Sequence, residues 1–560
     1  MTLKEIIKSI TRQEWKKIFW FNVAVIFITA MPFVYGYYNA PNGKILSGIH
    51  SLTPVDLNVY YSYLEQAKQG RIIFVDLFTS ETQTPLIFNI FWLGAGLAGK
   101  ILKLNNIITF QLARILLIPV FAITVYLFIS YFFTDKRKRQ TALIFILFSS
   151  GIGGILAPIL EKFAYESYGY YHWPLDMWIP ESTTFLTLFH MPHFIASLTL
   201  IILIFLFTLL AWENNKLKYE IYAGLCALVL FQFHPFHIST IFGVLGGYFL
   251  FLCFLNKKIL FPKLRSLIIL LLFTLPNLIY HLCILQNSII KQRAMQNVCL
   301  TPAWWLSLIG FGFLVPLATM GVYYIFTKMK DGDLPANKYY FLVVWLVVQS
   351  ALIYTPTALQ RRMSEGLHIV LCILAVIAVF ALIENAQQKI NPNKLDKIII
   401  YIYSNKILLI VIFVIFFSFS NMLNIARDVV YYENENILFY LPVEKKESFD
   451  WIKNNTDSNA VFLSHTTTCN FIAGNTGRFI YAGHGTETLF FEKKQEKIKW
   501  FFSENGGDQN KIEFLKSNNI NFIYYSDWEK IYSKDGLGFA EKDYLDIVYK
   551  NNLVEIYRVN

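Results

Sequence analysis

Thr53-Pro54-Val55-Asp56-Leu57-Asn58-Val59-Tyr60-Tyr61 lies in a long polar stretch, Tyr37 to Thr84, between the first hydrophobic run of the chain and the next. A carboxylate just beyond a first apolar helix, at the head of many more, points to chemistry at a membrane surface. The rest of the chain supports that setting. It is 55% hydrophobic and 17% aromatic over 560 residues, with a mean hydropathy of +0.44, which excludes a soluble globule. A spanning helix needs about 20 mostly apolar residues. Such runs occur near 17–36, 108–133, 141–160, 194–212, 219–233, 238–256, 266–286, 303–327, 339–355, 365–384 and 400–424. The expected fold is an α-helical polytopic membrane protein with about eleven transmembrane helices, over residues 1–425, followed by a domain over 426–560.

The segment Met1 to Lys17 is a basic amphipathic lead with no small-residue cleavage site after the first run, so that run is expected to be a true helix. Lys and Arg of short loops mark the cytoplasmic side. Lys136 to Arg139, Lys216 and Lys218, Lys257 to Arg265, Lys328 and Lys330, and Lys389 to Lys397 all fall inside if the helices alternate. The N-terminus is then cytoplasmic. Leu86 to Leu102 is apolar, but counting it as a crossing would put Lys136 to Arg139 outside. Its three glycines and Asn89 suit a helix in the interface. With a helix over Asp56 to Gly70, it makes the first outer loop, 37–107, a pair of membrane-parallel helices.

The outer loops hold the residues with chemical options. They are Asp56, Asp76 and Glu81; His172, Asp176, Glu181, His190 and His193; His234 and His237; Lys291 and Arg293; and Arg361, Arg362 and Glu365. From Ala426 onward the chain has 16 Lys and Arg against 20 Asp and Glu, a net −4 in a protein of net +11. This tail reads as an extracytoplasmic α/β domain, with helices at Ser448–Asn455, Thr486–Glu504 and Gln509–Asn518. Its strands are expected at Ala460–Ser464, Asn521–Tyr525 and Val554–Val559. Six cysteines show neither metal-ligand spacing nor a disulfide framework. No phosphate loop, dinucleotide fingerprint, serine elbow or zinc-binding helix motif is present.

The plan resembles that of the type C glycosyltransferases (GT-C), membrane enzymes that take sugars from polyprenyl-linked donors. A first helix from the cytoplasm, a carboxylate at the start of the outer loop, two interfacial helices, eleven to thirteen spans and an outer C-terminal domain carry the likeness. Asp56, followed by Tyr60, Tyr61 and Gly70, sits where the family places its catalytic Asp. The passage Thr476-Gly477-Arg478-Phe479-Ile480-Tyr481-Ala482-Gly483-His484-Gly485-Thr486-Glu487-Thr488, and Arg361-Arg362 ahead of Gly366, are similar to uncharacterised bacterial members. The family's paired acidic motif is present only as Asp56-Leu57-Asn58, which leaves metal dependence open.

Transfer from a lipid-phosphate sugar needs a base for the acceptor proton and cations for the leaving phosphate. Asp56 is the candidate base; the competing reading is a helix cap after Pro54. Arg361 and Arg362 are candidate phosphate ligands because a guanidinium fork binds phosphate bidentately; headgroup snorkelling is the alternative. Lys291 and Arg293 are weaker candidates of the same kind. Asp176 and Glu181 are a second acidic pair that, with Asp56, would suit Mg or Mn; the alternative is a solvated loop anchored by Trp173 and Trp178. His190 with His193, and His234 with His237, would contact substrate or a metal, although the proline inside each pair argues for a helix start. His484 lies in a Gly-His-Gly turn, where glycine permits close approach or positive φ, and would contact substrate or a metal; turn geometry alone is the alternative.

The function implied is transfer of a sugar from a polyprenyl-phosphate or diphosphate donor to an acceptor glycan, lipid or protein, with inversion, on the outer face of the plasma membrane. The bilayer is a partner and no nucleic acid is expected. Two other readings are a transporter or flippase of lipid-linked glycans and a surface-binding protein. Transporters bury ionisable groups at mid-membrane and show repeats, whereas here polar groups crowd one face.

Overall fold

The computed structural model describes residues 1–167, 169–330, 336–389, 411–503, 507–533 and 538–560. It groups into two compact units. The first comprises Met1–Pro32, Ala113–Tyr280 and Val298–Arg427; the second comprises Phe33–Leu112, His281–Asn297 and Asp428–Asn560.

Among the described residues, eight helices are long and apolar enough to cross a membrane: Arg12–Tyr38, Asn106–Phe132, Lys136–Phe163, Pro192–Asn214, His237–Asn256, Phe261–Ile284, Gln360–Asn385 and Val411–Glu433. A ninth span is formed if Trp304–Phe311 and Leu314–Lys328, bent by 85°, count as one. Eleven runs were expected, and part of the eleventh lies outside the described residues. The helices Leu217–Phe233 and Ala336–Leu352 exist but are short, at seventeen residues each, about 25 Å against a hydrocarbon core of about 30 Å. The eighth expected run is broken at Gly312, which adopts φ +54. The third breaks between Phe148 and Gly153. The eleventh expected run before Val411 and the basic stretch 390–397 lie outside the described residues.

The first unit is a helical bundle around one apolar core, with Phe128, Phe205, Phe341 and Trp345 among its buried rings. One of its buried charges is held by a counter-charge and a hydroxyl, as low dielectric favours. Glu14 accepts from the Tyr126 hydroxyl at 2.7 Å and faces Arg139 at 3.4 Å.

The second unit contains a five-stranded sheet in the order Phe479–Ile480, Val461–Leu463, Phe522–Tyr525, Glu555–Val559, Leu545–Lys550. The first three strands are parallel and the last two antiparallel. Parallel strands need crossovers; the helix Thr466–Thr476 supplies one and the helices Phe491–Phe501 and Asp508–Ser517 lie in the other. Leu463, Ile498, Phe501, Leu515, Ile523 and Tyr557 form the core. The expected α/β layer is therefore present. The helix expected from Thr486 starts only at Phe491, and the helix Thr466–Thr476 and the strand Leu545–Lys550 went unanticipated.

The polar stretch after the first apolar run folds within this second unit. Lys44–Leu46 pairs antiparallel with Tyr440–Pro442, Ile45 opposite Leu441. The expected helices are Asp56–Lys68 and Ile90–Ile101. Twelve residues make the second about 18 Å long, too short to cross a membrane. Small residues set the close packing: a Cβ on Gly96 would meet the Ala67 Cβ at 2.5 Å, and one on Gly474 the Asn58 Oδ1 at 2.7 Å.

Candidate functional site

Asp56 is the first residue of its helix. Val55 occupies the cap position and makes no side-chain cap bond, and the backbone N–H of Asp56 bonds to the Thr53 carbonyl at 3.1 Å. The carboxylate instead accepts a hydrogen bond from His484 Nε2, 2.8 Å from Oδ1. The Asp56 side chain is 30% exposed and that of His484 9%, so a reachable carboxylate stands on a buried imidazole.

The loop carrying His484 is fixed on both sides. Thr488 donates its hydroxyl to the Phe78 carbonyl at 2.7 Å and accepts from the Gly483 N–H at 3.0 Å. Ile480 N–H bonds to Leu77 O, and Thr79 bridges to Ala482. Gly483 is needed for close approach rather than for positive φ, because a Cβ would meet Ile480 Cδ1 at 2.5 Å. The N–H groups of Thr486 and Glu487 point at His484 Nδ1 at 3.3 Å, which selects the tautomer with its proton on Nε2, toward Asp56. Burial opposes a charge on His484, yet Asp56, Glu487 and Asp76 raise its pKa above the ordinary histidine value.

Behind this pair lies a buried ionic cluster. Arg293, in the helix Ser288–Gln296, approaches Glu487 at 2.5 Å and Asp76 at 4.0 Å and donates to the Tyr63 hydroxyl at 3.1 Å. Burial pushes the Asp76 carboxyl up to about 7 even though Arg293 acts against the rise. Arg293 is thus engaged by internal carboxylates, while Lys291 is exposed. Two of these partners carried a sequence signal that went unused. Asp76 is the lone charge in Phe74-Val75-Asp76-Leu77-Phe78, and Glu487 lies between threonines in a turn. A charge inside an apolar run is buried with a partner or not at all.

The remaining candidates belong to the first unit. Asp176 and Glu181 are 0% and 2% exposed, so the solvated-loop reading fails. Asp176 accepts from the Gly153 N–H at 3.1 Å, and burial pushes its pKa up to about 7. Glu181 Oε1 faces Arg361 Nε at 3.4 Å and Arg362 Nη1 at 3.3 Å. Arg361 lies over the Trp178 ring, 4.6 Å to the centroid. The arginine pair is therefore ordered by a buried carboxylate and an indole rather than snorkelling. His190 ends one helix and His193 lies in the first turn of the next, which Pro192 starts. His234 follows the helix Leu217–Phe233, and His237 opens the next. His193 and His234 rings meet at 5.3 Å. Glu365 joins His237, Oε2 to Nε2 at 2.8 Å. Among the described residues, His234, His237 and Glu365 are the one group of three side chains arranged to ligate a metal. Asp176, on a backbone amide, and Glu181, on two arginines, do not make the oxygen cage that Mg or Mn requires.

No family model matches the sequence, and no curated protein matches it. Solved structures do. The oligosaccharyltransferase of Archaeoglobus fulgidus tethered to an acceptor peptide matches over 98% of this chain and 74% of its own, with a TM-score of 0.53 and 12% identity. The chain has the GT-C fold. The same archaeal enzyme in complex with an inhibitory peptide and a dolichol-phosphate matches over 98% of this chain and 75% of its own, with a TM-score of 0.52 and 13% identity. ArnT from Cupriavidus metallidurans bound to undecaprenyl phosphate aligns over 95% of this chain and 97% of its own, with a TM-score of 0.45 and 9% identity.

Proposed function

We propose that this GT-C protein transfers a sugar from a polyprenyl-phosphate or polyprenyl-diphosphate donor to an acceptor hydroxyl on the extracytoplasmic face, with inversion at the anomeric carbon. The observation that carries the reading is the reachable Asp56 carboxylate on a buried, carboxylate-backed His484. In a single displacement the acceptor oxygen bonds to the anomeric carbon as the bond from that carbon to the phosphate oxygen breaks. The phosphate leaves with the electron pair, and the acceptor proton passes to Asp56. His484 holds the carboxylate by one oxygen, which leaves Asp56 oriented before the acceptor arrives.

Arg361 and Arg362 are assigned to the leaving phosphate, whose charge their planar forks match. Arg293 is assigned to the ionic cluster behind His484 and not to the donor. Outer placement follows from the basic inner loops. The likeness of fold supports lipid-linked chemistry; the sugar and acceptor lie beyond it.

The test is release of polyprenyl phosphate from a panel of synthetic polyprenyl-phosphate sugars by the purified protein. Asp56→Asn should lower turnover by about 10²- to 10⁴-fold with an unchanged melting profile. Wild-type turnover in that variant would remove Asp56 from the chemistry. Translocation of the same lipids across vesicles, without release of polyprenyl phosphate by the wild type, would replace transfer by transport.

A further inference from the structure

We propose that His234, His237 and Glu365 form a binding site for one divalent ion of the zinc class, separate from the transfer chemistry and independent of it. One donor atom from each of the three lies within 4.8 Å of the other two. The three residues are 8%, 0% and 1% exposed. Two imidazoles and one carboxylate are the donor set of open zinc sites, which leave a fourth position for water or another ligand. Magnesium and manganese prefer oxygen donors, so this set selects against the ions expected from the sequence.

As it stands the His237–Glu365 contact has the length of an ordinary hydrogen bond, and an ion needs the two atoms slightly further apart. Ligand atoms about 2.0–2.1 Å from a tetrahedral zinc stand about 3.3 Å apart. The Nε2–Oε2 separation of His237 and Glu365 is 2.8 Å, so a small rotation of either side chain admits the ion. The buried Nδ1 atoms of His234 and His237 have no hydrogen-bond partner in the structure. A buried polar atom left so is costly, and the His234 ring turned to offer that nitrogen to a cation recovers the loss.

The surroundings are built to hold the carboxylate. Ser197 donates its hydroxyl to Glu365 Oε1, and Gln349 Nε2 donates to the backbone carbonyls of Glu365 and Met363, each at 2.7 Å. Such outer partners fix ligand orientation in metal sites. The nearby cation is accounted for: Arg362 lies over Phe194, whose ring contacts His234, and its charge is shared with Glu181. The ion would join the end of the helix Leu217–Phe233, the start of His237–Asn256 and the turn Gln360–Ser364. That makes it a pin between segments far apart in sequence.

The experiment is cobalt titration of the full-length protein, purified in detergent and stripped with EDTA, followed by zinc loading and metal analysis. One equivalent of Co(II) with the visible ligand-field absorption of a four- or five-coordinate site is expected, displaced by zinc, and melting should rise by several degrees on loading. His237→Ala and Glu365→Gln should each weaken uptake at least tenfold, while Asp56→Asn and His172→Ala keep it. Uptake below one-tenth of an equivalent, or a spectrum that survives both ligand substitutions, would overturn the site. So would its loss in Asp56→Asn. Should the ligand variants fail to fold, the wild-type titration and His234→Asn decide the matter alone.

Discussion

Replacing Arg293 by Gln tests the ionic cluster behind His484. Arg293 is the one cation described between Glu487, at 2.5 Å, and Asp76, at 4.0 Å, and its side chain is 21% exposed against 2% for Asp76. Breaking a buried pair from one side costs about 3–5 kcal/mol, since the remaining charge is stranded. The loss depends on pH because a stranded carboxylate can take a proton. In the wild type Asp76 already titrates at about 7 instead of 3.8. A raised carboxyl binds its proton more tightly in the folded state, so its contribution is full below pH 3.8 and is lost as pH rises through about 7. Each proton is worth about 1.4 kcal/mol per pH unit across that window. Without Arg293 the Asp76 carboxyl loses the cation that opposes its rise and moves further upward, so the fall of stability between pH 5 and 8 should be steeper than in the wild type. Thermal unfolding in detergent at pH 5, 6, 7 and 8 reads this directly. Arg293→Gln should melt far below the wild type at pH 8 and recover most of the difference at pH 5. Equal losses at both ends would show that Arg293 acts by packing, and the argument from charge would be wrong.

Two other substitutions follow from the geometry. His484→Ala should lower turnover by about 10- to 100-fold by leaving Asp56 unheld, and His484→Gln, whose amide can still donate to the carboxylate, should recover much of it; equal loss in both would make the imidazole itself essential. Gly153→Ala places a Cβ 2.1 Å from Asp176 Oδ1 and 2.7 Å from Pro174 Cβ, an overpacking of about 1–3 kcal/mol, whereas Gly94→Ala in the helix Ile90–Ile101 meets nothing within 4 Å and should gain roughly 0.5–1 kcal/mol. Differential scanning fluorimetry separates the two.

What the sequence made legible depended on how local the signal was. Apolar length and turn residues act over about twenty positions, so the helices appeared close to where their hydropathy put them, and Pro192 started the helix its position promised. The eighth run bends where a single residue decides it, at Gly312 with φ +54. The candidate base was visible because a lone Asp after a first apolar helix is conspicuous. Its partner was not. His484 stands 428 positions away, and nothing in a Gly-His-Gly turn names the carboxylate it will meet. The arginine pair shows the same limit: Arg361 and Arg362 were visible and Glu181 was visible, but a separation of 180 positions hid that they form one ion group.

The C-terminal layer follows from the same long-range pairing. The strand Lys44–Leu46 has no partner near it in sequence and finds one in Tyr440–Pro442. Leu77, Phe78 and Thr79 each meet the segment Ile480 to Thr488 through backbone or hydroxyl contacts. Glu65 is held by Lys453 at 2.5 Å, and Lys494 sits 2.8 Å from Glu81. These pairs bring backbone partners and counter-charges to the polar stretch, where Glu65 is buried and Glu81 half-buried. The stretch that carries Asp56 cannot close its own hydrogen bonds and ion pairs, and the tail supplies them together with the histidine. A chain that kept the membrane helices and lost residues 428–560 would lose the support of the carboxylate along with its partner, so the α/β layer belongs to the candidate site rather than to an appended binding module.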